Sequence, residues 1–105
     1  MAKRLDRAQF EAQIKEEGLS VIDFYSDSCV PCKRLSPLLT QIGEAYPQAA
    51  IGKVNVAYEK ELAASLGVTS TPTLLFYKNG EEVDRLNGAI RKNVLEETIT
   101  KYLGE

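Results

Sequence analysis

Leu19-Ser20-Val21-Ile22-Asp23-Phe24-Tyr25, followed by Ser26-Asp27-Ser28 and then Cys29-Val30-Pro31-Cys32, is the stretch whose reading decides the fold. Its first part is nearly continuous in apolar character, as expected of a strand covered on both faces. A short polar turn follows, and beyond the second cysteine Leu35, Leu38, Leu39, Ile42, Ala45 and Tyr46 recur at the spacing of one helical face. Both thiols therefore stand where a strand ends and a helix begins. Unpaired backbone N–H groups and the positive end of the helix dipole favour an anion there, and the thiolate is the reactive form of cysteine. Pro31 suits the first helical turn, since it lacks an N–H and presets φ.

The elements on either side follow from local signals. Met1 to Leu5 reads as a short edge strand. Asp6 has the spacing of an N-cap with Gln9 three residues on, and Leu5 and Phe10 sit at the positions of a hydrophobic staple. Phe10 and Ile14 continue that helix, with Gly18 as its C′ stop. The helix that carries the cysteines is expected from Val30 to Tyr46, ended by Pro47 and kinked at Pro37. A strand over Ala49 to Val56 and a short helix over Glu59 to Leu66, closed by Gly67, come next. Thr73 to Tyr77 reads as a strand, Asn79-Gly80 as a hairpin turn and Val83 to Leu86 as the antiparallel return. Arg91 to Leu103 is the last helix, without a Ser, Thr or Asp cap. This order requires a mixed sheet with helices on both faces, an α/β fold in the form of a three-layer α/β/α sandwich.

Composition narrows the chemistry. The chain of 105 residues suits one domain, spanning 1–105, with one core. A net charge of -2 gives no reason to expect nucleic acid or a membrane surface as partner. Lys3-Arg4 runs into Leu5-Asp6-Arg7 and not into an apolar stretch, so no signal peptide is expected and a cytoplasmic location is. With two cysteines and no histidine, a disulfide framework, a single-chain zinc site and Ser-His-Asp or Cys-His hydrolysis are all excluded. What remains is redox chemistry, or two half-buried core residues.

A C-x-x-C at a strand-to-helix junction in a βαβ context reads as a dithiol/disulfide pair. Cys29, at the outer end of the turn, is expected to attack, and Cys32, one turn deeper, to resolve. Asp23 is the odd residue of its strand, and two readings stand. Either burial raises its pKa towards neutrality, or it faces solvent or a backbone amide. Lys53, on a neighbouring strand, is either its cationic partner or a solvated side chain. Thr71-Pro72 precedes an apolar strand, and base rates favour a trans bond there.

Taken together, Asp23-Phe24-Tyr25, Cys29-Val30-Pro31-Cys32-Lys33, Pro37, Lys53-Val54-Asn55-Val56, Thr71-Pro72-Thr73, Lys78-Asn79-Gly80 and Gly88-Ala89 resemble the thioredoxin family nearly end to end. The resemblance implies a five-stranded mixed sheet with four helices. It also implies that Asp23 exchanges a proton with Cys32, that Lys53 neighbours it, and that Pro72 is a cis-proline facing the thiols. Thr71 would offer backbone groups to a substrate strand, with Val30, Pro31, Pro72 and Ala89 completing the contact surface. No cofactor is implied, and the partners are a reductase and disulfide-containing client proteins, with the chain acting as a monomer. The chain departs from the family pattern at Ser28 and Tyr25, where tryptophans are common, and at Val30, where glycine is usual; it has no Trp. Those changes bear on reduction potential and docking. The rival readings are a non-catalytic scaffold that binds through Val30, Thr71-Pro72 and Ala89, and a dimer bridged by a metal on the cysteines.

Overall fold

The computed structural model describes residues 3–104, so Met1 and Ala2 of the expected first strand lie outside the described residues. The elements are β1 (Lys3–Arg4), α1 (Arg7–Ile14), β2 (Leu19–Tyr25), α2 (Val30–Ala45), β3 (Ala50–Asn55), α3 (Lys60–Ser65), β4 (Thr73–Lys78), β5 (Glu81–Asn87) and α4 (Lys92–Leu103). The sheet runs β1-β3-β2-β4-β5. β1, β3 and β2 are parallel, β4 runs against them, and β5 runs against β4 and so with the other three.

Side-chain alternation along the strands builds the layers. Leu19 and Val21 of β2 and Leu74 and Phe76 of β4 pack with Leu35, Leu39 and Ile42 of α2 and with Leu95, Ile99 and Tyr102 of α4. Ile22 and Phe24 of β2 and Leu75 and Tyr77 of β4 pack on the other face with Phe10 of α1 and Leu62 and Ala63 of α3. The single core expected from chain length is thus two, one on each side of the sheet. A sheet buried on both faces separates its own apolar side chains.

Local chemistry explains most boundaries. Asp6 caps α1 reciprocally with Gln9, the Gln9 N–H donating to Asp6 Oδ1 at 2.8 Å and the Asp6 N–H to Gln9 Oε1 at 2.9 Å. Leu5 and Phe10 are both buried beside it in the manner of a staple. Gly18 is not the stop expected for this helix. α1 ends at Ile14 with Lys15 as its C-cap, because Lys15-Glu16-Glu17 offer no apolar side chain to hold another turn on the core. Gly18, at φ 95°, instead turns the chain into β2, its N–H donating to Asn79 Oδ1 at 2.7 Å. Asn79 and Gly80 have φ values of 52° and 91°, the two positive angles of a tight hairpin. β5 extends beyond Val83 to Leu86 at both ends, since its pairing with β4 is made by backbone and tolerates polar side chains. α2 continues through Pro37, and α4 starts at Lys92, its N-cap Arg91 making no side-chain cap.

The site's position follows from topology. β2 and β5 run in the same direction, because each pairs antiparallel with β4. α2 follows β2 and α4 follows β5 on the same face, so both helices begin at the same end of the sheet.

Candidate active site

Cys29 is the N-cap of α2, and its Sγ accepts the Cys32 N–H at 3.1 Å. The two cysteines are joined in a disulfide, with Cα atoms 5.2 Å apart. The helix geometry brings them together, since positions three apart at a helix start lie on one face. Both cysteines are nearly enclosed, Cys29 at 9% and Cys32 at 5% exposure, so exposure alone barely separates them. Their surroundings do. Cys29 adjoins Val30, which is 56% exposed despite being apolar, and the exposed Pro31. Cys32 instead lines a cavity of about 170 Å³ that it shares with Asp23, Tyr25, Ser26, Asp27, Lys33, Ser36 and Lys53.

Asp23 resolves in favour of burial. It is 3% exposed in the central strand, on the same face as Val21, and its Oδ1 has no hydrogen-bond partner among the described residues. Loss of hydration pushes its carboxyl up to about 7, and the positive charge of Lys53 holds it from going higher. Parallel pairing sets Asp23 level with Lys53. The ammonium lies over the Tyr25 ring, 5.2 Å from its centre. Lys53 thus reaches the carboxyl through its field across the cavity while stacking on the aromatic ring.

The remaining expected contact residues lie at the same end. The Thr71–Pro72 peptide is cis, as the family resemblance implied and against the base rate. Thr71 is half-buried, its Oγ1 3.5 Å from Ser26 Oγ, which seats this loop against the turn leading to Cys29. Pro72 is fully buried and lends that face no surface of its own. Gly88 N–H donates to the Pro72 carbonyl at 3.1 Å, so Ala89, exposed, adjoins the loop. Tyr25, Ser26, Asp27, Lys33 and Ser36 line the cavity without having been singled out as site residues. Spacing held part of that signal: Tyr25 is two residues from Asp23 on a strand, and Ser36 four from Cys32 on a helix.

A five-stranded mixed sheet flanked by helices, with a vicinal pair of cysteines closed into a disulfide at a helix start, defines a thiol–disulfide oxidoreductase. The thioredoxin family model matches residues 1–101, and the chain belongs to the thioredoxin family. A thioredoxin of Porphyra purpurea is 37% identical over 98 residues, covering 91% of this chain and 92% of its own. Thioredoxin-like protein 1 of Schizosaccharomyces pombe is 41% identical over 78 residues, 72% of this chain, and this match spans 27% of that longer protein. Among solved structures, Fasciola hepatica thioredoxin superposes with a TM-score of 0.88 at 36% identity, covering 95% of this chain and 98% of that one.

Proposed function

We propose that this chain, acting as one domain, is a cytoplasmic reductant of protein disulfides. In the reduced form the Cys29 thiolate attacks one sulfur of a client disulfide, forming a mixed disulfide and releasing the first client thiolate, which takes a proton from water. The Cys32 thiol then gives its proton to the Asp23 carboxylate and attacks Cys29 Sγ. That breaks the mixed disulfide and releases the second client thiolate, which takes up a proton from water. The protons given up by Cys29 on ionising and by Cys32 through Asp23 return to solvent. The balance is a client disulfide and two cysteine thiols converted to two client thiols and the Cys29–Cys32 disulfide. A dithiol donor, supplied by a reductase, restores the pair.

The supporting observation is the cavity that Cys32 shares with a buried carboxyl, poised near neutrality, whose Oδ1 has no hydrogen-bond partner among the described residues. A group with that pKa accepts and returns a proton at low cost at physiological pH. The Cys32 N–H, already 3.1 Å from Cys29 Sγ, is a donor that suits a thiolate when the pair is open. Lys53 sets how readily Asp23 ionises. Val30, Pro31, Thr71 and Ala89 receive the client segment, with Pro72 beneath them.

Trapping in a cell extract tests the division of labour. Cys32→Ser retains attack but loses resolution, so it accumulates mixed disulfides on non-reducing gels. Cys29→Ser accumulates few. Equal trapping by both variants would overturn these roles, and trapping by neither would favour a non-catalytic scaffold.

A further inference from the structure

The disulfide sits at an end of the sheet where charge is unevenly distributed. The row Phe24, Thr73, Asn87 crosses the sheet there, and with strands about 4.8 Å apart Asn87 lies roughly 10 Å from Phe24. The helices that follow, α2 and α4, therefore open side by side on one face. They open on cations: Lys33 and Arg34 in α2, Arg91 and Lys92 at the start of α4, all exposed. The loop carrying Thr71 and the bend carrying Ala89 reach the same end of the sheet, tied by the Gly88-to-Pro72 hydrogen bond.

Segments 69–73 and 87–93 contain no carboxylate, and 26–34 contains only Asp27. Asp27, exposed, accepts from Asn55 Nδ2 at 3.5 Å and lines the Cys32 cavity beside Lys33, so these segments hold one carboxylate against four cations. None of the four cations enters an ion pair among the described residues, whose pairs are Arg7–Glu11 and Arg85–Glu82. Across the sheet at this end, α1 and α3 open with mixed charge: Asp6, Arg7, Glu59, Lys60 and Glu61. The chain as a whole carries -2, so the basic rim is a local concentration. Helix stability does not account for it. Cations in a first turn oppose the helix dipole, and neither α2 nor α4 has an acid there to offset them.

We infer that this rim selects disulfides flanked by acidic residues, the client's acidic segment lying across Val30, Thr71 and Ala89 between the starts of α2 and α4. The inference rests on the reading of the chain as a reductant of protein disulfides. Thiol–disulfide exchange is unchanged by it; what changes is which client arrives and how fast, since a concentrated field of one sign steers the opposite charge.

The test uses the pre-reduced protein, freed of reductant, in single turnovers. Its substrates are two peptides with the same internal disulfide, flanked by Glu in one and Lys in the other, and the neutral hydroxyethyl disulfide. At about 10 mM salt the Glu-flanked peptide should react about tenfold faster than the Lys-flanked one. The gap should close to within about twofold near 1 M salt, where the screening length falls to about 3 Å. The double variant Arg34→Glu/Arg91→Glu should abolish or invert the preference. Lys15→Glu/Lys101→Glu, which changes net charge equally at the far ends of α1 and α4, should keep it. Equal rates for the two peptides, a preference unmoved by salt, or equal loss in both double variants would overturn the inference. So would a uniform slowing of both peptides in the Arg34/Arg91 variant, which would place the field's action on the thiolate. Failure to reduce even the neutral disulfide would overturn the redox reading itself.

Discussion

Asp23 concentrates the physical tension of the site, because an ionisable group in the middle of an apolar sheet opposes folding whenever it is charged. Its carboxyl titrates near 7 in the fold and near 3.8 when free. Between those values the native state holds a proton that the unfolded chain has released. Relative stability is therefore greatest at or below about pH 4, falls as pH rises to about 7, and is level above. Asp23→Asn keeps the shape and never ionises. At pH 8 it should be more stable than the parent by about 2–4 kcal/mol, with the gap shrinking towards pH 4. It should also slow disulfide exchange, as it removes the proton acceptor proposed for Cys32. Urea unfolding of the oxidised proteins at both pH values measures the first effect, and equal stability at pH 8 would contradict the penalty for burial.

At the scale of elements, α1 is the clearest case of a helix specified by its own ends. Eight residues, Arg7–Ile14, are short for a helix in water, and among them Phe10 alone is buried. The cap formed by Asp6 and Gln9 and the burial of Leu5 and Phe10 in one core must therefore supply much of its definition. Asp6→Ala leaves the Gln9 N–H without its acceptor and should cost about 1 kcal/mol. Thermal unfolding would register this as a lowered midpoint, whereas no change would mean that β1 pairing and Phe10 burial hold the helix unaided. α2 differs, because its start serves chemistry as well as folding: its N-cap side chain is Cys29, a weak acceptor in place of an oxygen.

For the whole molecule, the sheet divides two cores that share strands but not side chains. Ile22 lies in the core beneath α1 and α3, and Ile99 in the core beneath α2 and α4; both are fully buried. Ile22→Val and Ile99→Val should each cost about 1 kcal/mol. The double variant should lose their sum to within about 0.5 kcal/mol, because neither change touches the other's neighbours. Denaturant titration of the four proteins measures the coupling, and a larger departure from additivity would show that the sheet transmits strain between its faces.

What the sequence by itself determined is what short-range chemistry specifies. The strand Leu19–Tyr25, the helix opening at Cys29-Val30-Pro31-Cys32, the cap at Asp6 and the turn at Asn79-Gly80 all follow from residues within a few positions of one another. The cysteine pair belongs here, since three helical positions suffice to bring its sulfurs together. Only the tertiary structure decided the environment of Asp23. In a strand apolar on both sides, alternation does not reveal which face a residue takes, so burial beneath α2 and exposure at an edge remained equal readings. The level pairing with Lys53 depends on the register of strands far apart in the chain, and the stacking of that lysine on Tyr25 depends on the same register. The ends of β5 were invisible for a related reason, because backbone pairing with β4 carries no side-chain signature. Gathering the cations of α2 and α4 into one rim likewise required both helices to start at the same end of the sheet. Local sequence sets backbone conformation and chemistry; long-range pairing sets which of those groups meet, and in how dry a place.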